Sequence, residues 1–267
     1  MPEMNSARAS WARIMTAGAA VGLVGGLIGL GGAEFRLPLL IGLFGFAALE
    51  AVILNKATSL IVVATALPFR SAAVPLDEVI AQWPILVNLL AGSLLGAWFG
   101  AGRAVRMKSR TLYRVLAALL VGIAAVLAIS HGTTLSASAL FTGWAQVLVG
   151  MAAGFGIGIV AALMGVAGGE LLIPTLVILF GVDLKLAGSL SLAISLPTML
   201  VGFARYSLDD SFSVLARNRG FVILMAVGSV IGVALGGQLL GIVPESILLP
   251  VLVAILLVSS VKVWRHS

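Results

Sequence analysis

One motif occurs twice in this chain and sets the terms for any fold. Residues 22–38 read GLVGGLIGLGGAEFRLP, and residues 158–174 read GIVAALMGVAGGELLIP. At an offset of 136, the windows 29–46 and 165–182 share eight of eighteen residues: Gly29/Gly165, Gly32/Gly168, Glu34/Glu170, Pro38/Pro174, Leu40/Leu176, Leu43/Leu179, Phe44/Phe180 and Gly45/Gly181. In each copy an apolar run ends in glycines, a carboxylate follows, and a short apolar segment begins again. This is the pattern of a helix broken inside a membrane. Its recurrence at matching positions of two halves predicts a binding site between repeats.

The solvent around such a chain must be lipid. Of 267 residues, 61% are hydrophobic and 10% charged, against about half and about a quarter in a soluble domain. The absence of cysteine excludes disulfides and thiolate chemistry. The two histidines, His131 and His266, read as lying in a loop and at the C-terminus, too few and too far apart for a His-rich metal motif. No cofactor or metal is expected. The net charge of +6 does not point to nucleic acid, because the basic residues gather in loops where the positive-inside rule wants them.

Apolar runs measured against the roughly 20 residues needed to span predict ten segments, at about 12–31, 34–46, 50–69, 80–101, 111–130, 143–167, 170–181, 185–204, 220–240 and 246–264. The first run carries the repeated motif, so it reads as part of the fold and not as a cleaved leader. The second and seventh are too short to span and read as half-helices folded against the longer helix before them. The expected fold is an all-α polytopic membrane protein of two inverted repeats. An N-terminal repeat of 1–130 and a C-terminal repeat of 143–267 are joined by an external connection, 131–142.

Charge sets the orientation. Arg103, Arg106, Lys108, Arg110 and Arg114 crowd one loop, with no acid between Glu78 and Glu170, so that loop is expected in the cytoplasm. The loop with Arg205, Arg217 and Arg219, and the C-terminal Lys262 and Arg265, belong on the same side. Counting crossings then requires an odd number per repeat and puts both termini in the cytoplasm. Parity does not separate a hairpin that dips in and returns from one that crosses twice.

Each break leaves backbone N–H groups of the next half-helix without partners in the membrane interior, and with the helix dipole these suit an anion. The candidate amides lie near Gly31, Gly32 and Ala33, and near Ala167, Gly168 and Gly169. Glycines that merely permit a tight bend are the plainer reading of the same residues. Arg36 and Lys56 have Leu172 and Leu192 as counterparts. The first half is therefore the natural holder of an anionic substrate, since charges at this depth line a cavity or pair. An ion pair of Arg36 with Glu34, or snorkelling of either cation, is the alternative. Glu34 and Glu170 sit in the first turns of their half-helices. They read either as carboxylates satisfying helix-end amides or as groups coupling transport to protons.

The third segment of each repeat adds a polar strip. Asn55, Thr58 and Ser59 share a helix face, and Ser191 and Ser195 align with Asn55 and Ser59. Interhelical hydrogen bonding is the alternative role for these groups. Pro197 predicts a kink nearby.

The blocks GLGGAEFRLP and GVAGGELLIP, the Asn55-Lys56 pair four residues after Ala51, and the SLPT run at 195–198 resemble the TauE/SafE family over essentially the whole chain. The resemblance implies a secondary transporter of sulfur-containing anions such as sulfite or a sulfonate in a bacterial inner membrane. It implies as partners a small anion and the lipid bilayer, and no enzymatic activity. An anion channel is the alternative. An intramembrane lipid-phosphate enzyme lacks its acid, serine and histidine cluster here.

Overall fold

The computed structural model describes residues 7–28, 32–132, 141–238 and 245–266, and every described regular element is helical. The first half contains α1 (Ala7–Ile28), α2 (Ala33–Gly42), α3 (Ala48–Ala73), the short α4 (Leu76–Ala81), α5 (Trp83–Ala104) and α6 (Ser109–Gly132). The second contains α7 (Gly143–Met164), α8 (Gly169–Phe180), α9 (Leu184–Tyr206), a single 3₁₀ turn (Asp210–Phe212), the short α10 (Ser213–Arg217), α11 (Arg219–Gln238) and α12 (Glu245–Arg265). Six of these helices, α3, α5, α6, α7, α9 and α11, are long and apolar enough to cross a membrane. Large apolar side chains such as Leu95, Trp98, Leu148, Ile223 and Val258 stand on the outside of the bundle. That is how a chain is built when lipid covers it.

All ten predicted segments correspond to helices, with several shifts of boundary: α1 starts at Ala7 and not near 12, and α2 ends at Gly42 and not near 46. The helix α3 runs on to Ala73, and α4 occupies part of what the sequence suggests is the 70–79 loop. The helix α6 continues to Gly132 and takes in His131, which the sequence reading put in the 131–142 connection; most of that connection, and most of the 241–245 loop, lie outside the described residues.

The two halves exchange helices. The most extensive contacts join α1 to α11 and α5 to α7, so the first helix of each half packs on a late helix of the other. Glycines allow it. A Cβ on Gly22 would meet the Ser229 carbonyl of α11, and one on Gly158 would meet the Ser93 carbonyl of α5. Gly228 and Gly232 abut Met15 and Ala19, while Gly92 and Gly96 abut Met151 and Phe155. Every residue in the first set is related to one in the second by the offset of 136. This is close backbone approach of the small-xxx-small kind, and its duplication is what a two-fold relation between halves produces.

The register of these contacts also fixes direction. Along α1 and α11, Met15 meets Gly228 and Ala19 meets Gly232, so the helices are parallel and both start at the same end of the bundle. That end also holds the finish of α5, where Arg205 lies over the Trp98 ring at 5.4 Å. The finish of α12 is there too, with Arg114 over the Trp264 ring at 5.6 Å. The basic stretches thus share one end. Phe44 and Phe46, just beyond α2, meet Phe221 in the first turn of α11 with ring centroids 4.9 and 5.2 Å apart. The hairpin α1–α2 therefore comes back to the end it started from, and its return arm of 10 residues is too short to span. The second does likewise from the opposite end, because Gln146 at the start of α7 donates to the Leu179 carbonyl near the end of α8 at 2.9 Å. Each half-helix packs more on the long helices beside it, α2 on α3 and α12 and α8 on α9, than on its own hairpin partner.

Candidate functional site

The half-helices begin where the glycines allow a turn. Gly32 and Gly168, each preceding its half-helix, have φ of 69° and 83°, a left-handed conformation that a residue with a Cβ rarely adopts. Neither helix start is capped by a side chain. The Gly32 carbonyl accepts from the Phe35 and Arg36 amides, and the Gly168 carbonyl from those of Leu171 and Leu172. The amides of Ala33 and Gly169 find no partner among the described residues. Gly31 lies outside the described residues.

Arg36 is the largest fully buried side chain among those described. Its Nη1 donates to Asn55 Oδ1 at 3.3 Å and to Ser59 Oγ at 3.0 Å, and its Nη2 donates to Ser229 Oγ at 3.3 Å. Its Nε has no acceptor. The sole ion pair among the described residues is the exposed Arg217–Glu50, so Arg36 is a buried cation held by neutral oxygens. Complete burial also removes the snorkelling alternative for it and for Lys56.

Asn55 and Lys56 hold the other hairpin. Asn55 Nδ2 donates at 3.0 Å both to the Ala33 carbonyl in α2 and to the Met164 carbonyl closing α7. One amide thereby ties the two breaks together. Lys56 Nζ donates to the Ala161 carbonyl at 3.3 Å, and the Tyr206 hydroxyl to the Ala162 carbonyl at 3.0 Å. The three donors converge on the last carbonyls of α7, of which Ala161 and Ala162 also accept from the Gly165 and Val166 amides, and a cation there opposes the negative end of the helix dipole.

Glu34 and Glu170 face each other. Their carboxyl groups lie within hydrogen-bonding reach and are 1% and 3% exposed. Neither oxygen of Glu34, nor Oε2 of Glu170, has a hydrogen-bond donor. Among the described residues, the one backbone donor close to the pair is the amide of Glu34 itself, beside its own carboxyl.

The remaining candidates divide. Thr58 and Ser191 bond back to their own helices, at Leu54 and Gly188, both 2.8 Å. Ser195 is buried in α9, beside the kink-prone Pro197. Ser229 was missed from sequence, as was its counterpart Ser93, whose hydroxyl meets that of Thr198 at 2.7 Å. The offset of 136 carried on into α5 and α11 would have found both, through the matching Gly-Ser pairs at 92–93 and 228–229. An open crevice between α3 and α11, lined by Ile61, Thr65, Ile223, Val227 and neighbours, is apolar and offers nothing to an anion.

Two re-entrant hairpins meeting inside a bundle of membrane-length helices, with buried ionisable groups at their tips, define a multi-pass membrane protein. The family model for the sulfite exporter TauE/SafE matches residues 14–263. The chain belongs to the TauE/SafE sulfite exporter family, and is a membrane transporter. No curated protein and no solved structure matches it significantly.

Proposed function

We propose that this protein is a secondary transporter that moves a small sulfur-containing oxyanion, such as sulfite or a sulfonate, across the bacterial inner membrane by alternating access. Two inverted repeats, 1–130 and 143–267, form the moving parts, with both termini in the cytoplasm. The observation that carries the reading is Arg36: a guanidinium buried beside a half-helix start and matched by no carboxylate within ion-pair distance among the described residues. A charge at this depth is retained where it serves an ion pathway. A tetrahedral or pyramidal oxyanion would take the place of the neutral oxygens on the guanidinium and accept from the Ala33 amide, with Ser59 and Ser229 at its edge. Lys56 and Asn55 would keep the second hairpin tip in position. All of these groups are buried, so an anion reaches them only when one repeat rocks against the other. Glu34 and Glu170 are the groups available for coupling to protons.

The test is charge movement by the purified protein in proteoliposomes on a solid-supported membrane, with counterflow of labelled anion for electroneutral exchange. Sulfite and a short sulfonate should give saturable responses and chloride none. Arg36→Leu should abolish them. A response to a carboxylate analogue with silence to every sulfur anion would discard the substrate class and keep the transporter.

A further inference from the structure

The two carboxyl groups at the meeting of the hairpins are the least explained feature of the interior. Glu34 comes from the hairpin that enters at the basic end and Glu170 from the one that enters opposite, and the offset of 136 makes them equivalent. They lie within hydrogen-bonding reach, yet three of their four oxygens are buried acceptors with no donor. Two bare carboxylates in that position would repel in a region of low dielectric, and each would lack the hydrogen bonds that make a buried charge tolerable. The nearby cation does not resolve this. Arg36 acts on Glu34 through space, but it lies beyond ion-pair distance and its Nη groups are engaged by Asn55, Ser59 and Ser229.

The helices packed against the half-helices bring few other charges inward. Lys56 of α3 is turned to the Ala161 carbonyl, and Tyr206 of α9 to the Ala162 carbonyl. The remaining charged groups of α1, α3, α6, α9 and α12, such as Arg13, Glu50, Arg114, Lys185 and Lys262, lie toward helix ends, and α7 and α8 add none beyond Glu170.

We infer that Glu34 and Glu170 together form one proton-binding site at the contact between the two repeats, a single proton bridging carboxyl to carboxylate and holding the hairpin tips together. The proton supplies the donor that the oxygens lack. Its release leaves two like charges facing each other, and the tips separate. The site thus links a proton to the relative position of the repeats, which deepens the transporter reading and rests on it only for what is carried.

The experiment pairs transport with infrared difference spectroscopy of the purified full chain. At neutral pH exposed carboxyls are ionised, so a carboxylic-acid C=O band that persists there reports a buried acid. Such a band is expected in the unaltered protein and should vanish on alkaline titration. Glu34→Gln and Glu170→Gln each supply an amide donor to the surviving carboxylate and should each remove the band. In proteoliposomes each should abolish stimulation of sulfite or sulfonate flux by a pH gradient. Should either variant fail to fold, the titration of the unaltered protein decides by itself.

No such band at neutral pH overturns the proposal, as does a band that survives both substitutions. Gradient-driven stimulation that persists in either variant overturns it too. A band lost in both variants from a protein that moves no sulfur anion would uphold the proton site and refute the substrate class, so the two failures are distinct.

Discussion

Lys56 and Arg36 read alike from sequence, two cations without counterparts in the second half, and the structure separates them by what they touch. The Arg36 guanidinium is held by side-chain oxygens that another acceptor can replace. The Lys56 ammonium goes to a main-chain carbonyl at the end of α7, which cannot leave without unwinding the helix. The two should therefore fail differently. Arg36→Leu installs what the second repeat has at Leu172 and removes an unpaired buried charge, but takes the donor from Asn55 Oδ1, Ser59 and Ser229, at about 1–3 kcal/mol, so the thermal unfolding midpoint in detergent should change little. Anion affinity, read by calorimetric titration with sulfite, should fall about tenfold to a hundredfold, the worth of a hydrogen bond from a charged donor at about 1.5–3 kcal/mol. Lys56→Ala should instead cost about 2–5 kcal/mol of stability, chiefly through the cavity left by a fully buried side chain, since the Ala161 carbonyl keeps its backbone donors. Lys56→Gln should recover much of that loss without the charge. Equal loss of affinity in Lys56→Gln and Arg36→Leu would return Lys56 to the anion site. The residue types of the site were legible because charge is conspicuous in an apolar chain. Two partners of Arg36, Asn55 and Ser59, were legible as well; Ser229 was not from local pattern, since it lies 193 positions from Arg36 and shows only through the offset of 136.

At the level of helices, the sequence marks where each one breaks but not which one lies beside it. Glycine before a carboxylate and proline has a local cause, the left-handed turn at Gly32 and Gly168. The packing of α1 on α11 has none, because it depends on two glycine stripes far apart in the chain fitting each other. The stripes make a specific prediction. A Cβ at Gly18 would lie 2.6 Å from the Met225 carbonyl oxygen, and one at Gly154 would lie 2.5 Å from that of Leu89. Backbone cannot swing aside as a side chain can, so the helices must separate. Gly18→Ala and Gly154→Ala should each lower stability by about 1–3 kcal/mol, the cost of overpacking a fitted contact, and by similar amounts because the two contacts are equivalent. Gly122→Ala on α6 meets nothing within 4 Å and should be neutral or slightly stabilising through helix propensity. Tryptophan fluorescence during thermal unfolding reads all three. A loss in Gly122→Ala matching the other two would mean that helix separation is not the cause.

For the molecule as a whole, the arrangement follows from two hairpins entering from opposite ends and meeting at Glu34 and Glu170. Counting charges and crossings gives an expected orientation but is blind to this, because a hairpin that returns and a pair of helices that cross change parity alike. Length decides it: α2 has 10 residues, about 15 Å of helix and half of what a crossing needs, and Phe44 and Phe46 on Phe221 bring its end back beside the start of α11. A chain without cysteine allows a direct check in intact cells. Single cysteines at exposed Leu43, Arg106 and Leu208 should all be shielded from a membrane-impermeant maleimide until the cytoplasmic face is opened. Cysteines at exposed Asp77 and Phe141 should react from outside without that step. Leu43 is the discriminating position, because it follows α2 directly. Labelling there from outside, with Arg106 still shielded, would mean that α1 and α2 together cross the membrane. Glu34 and Glu170 would then belong to segments passing each other and not to two tips in contact. Shared sidedness of Leu43, Arg106 and Leu208 would place the first hairpin on the cytoplasmic side, leaving the carboxyl pair where the two repeats must part for an anion to pass.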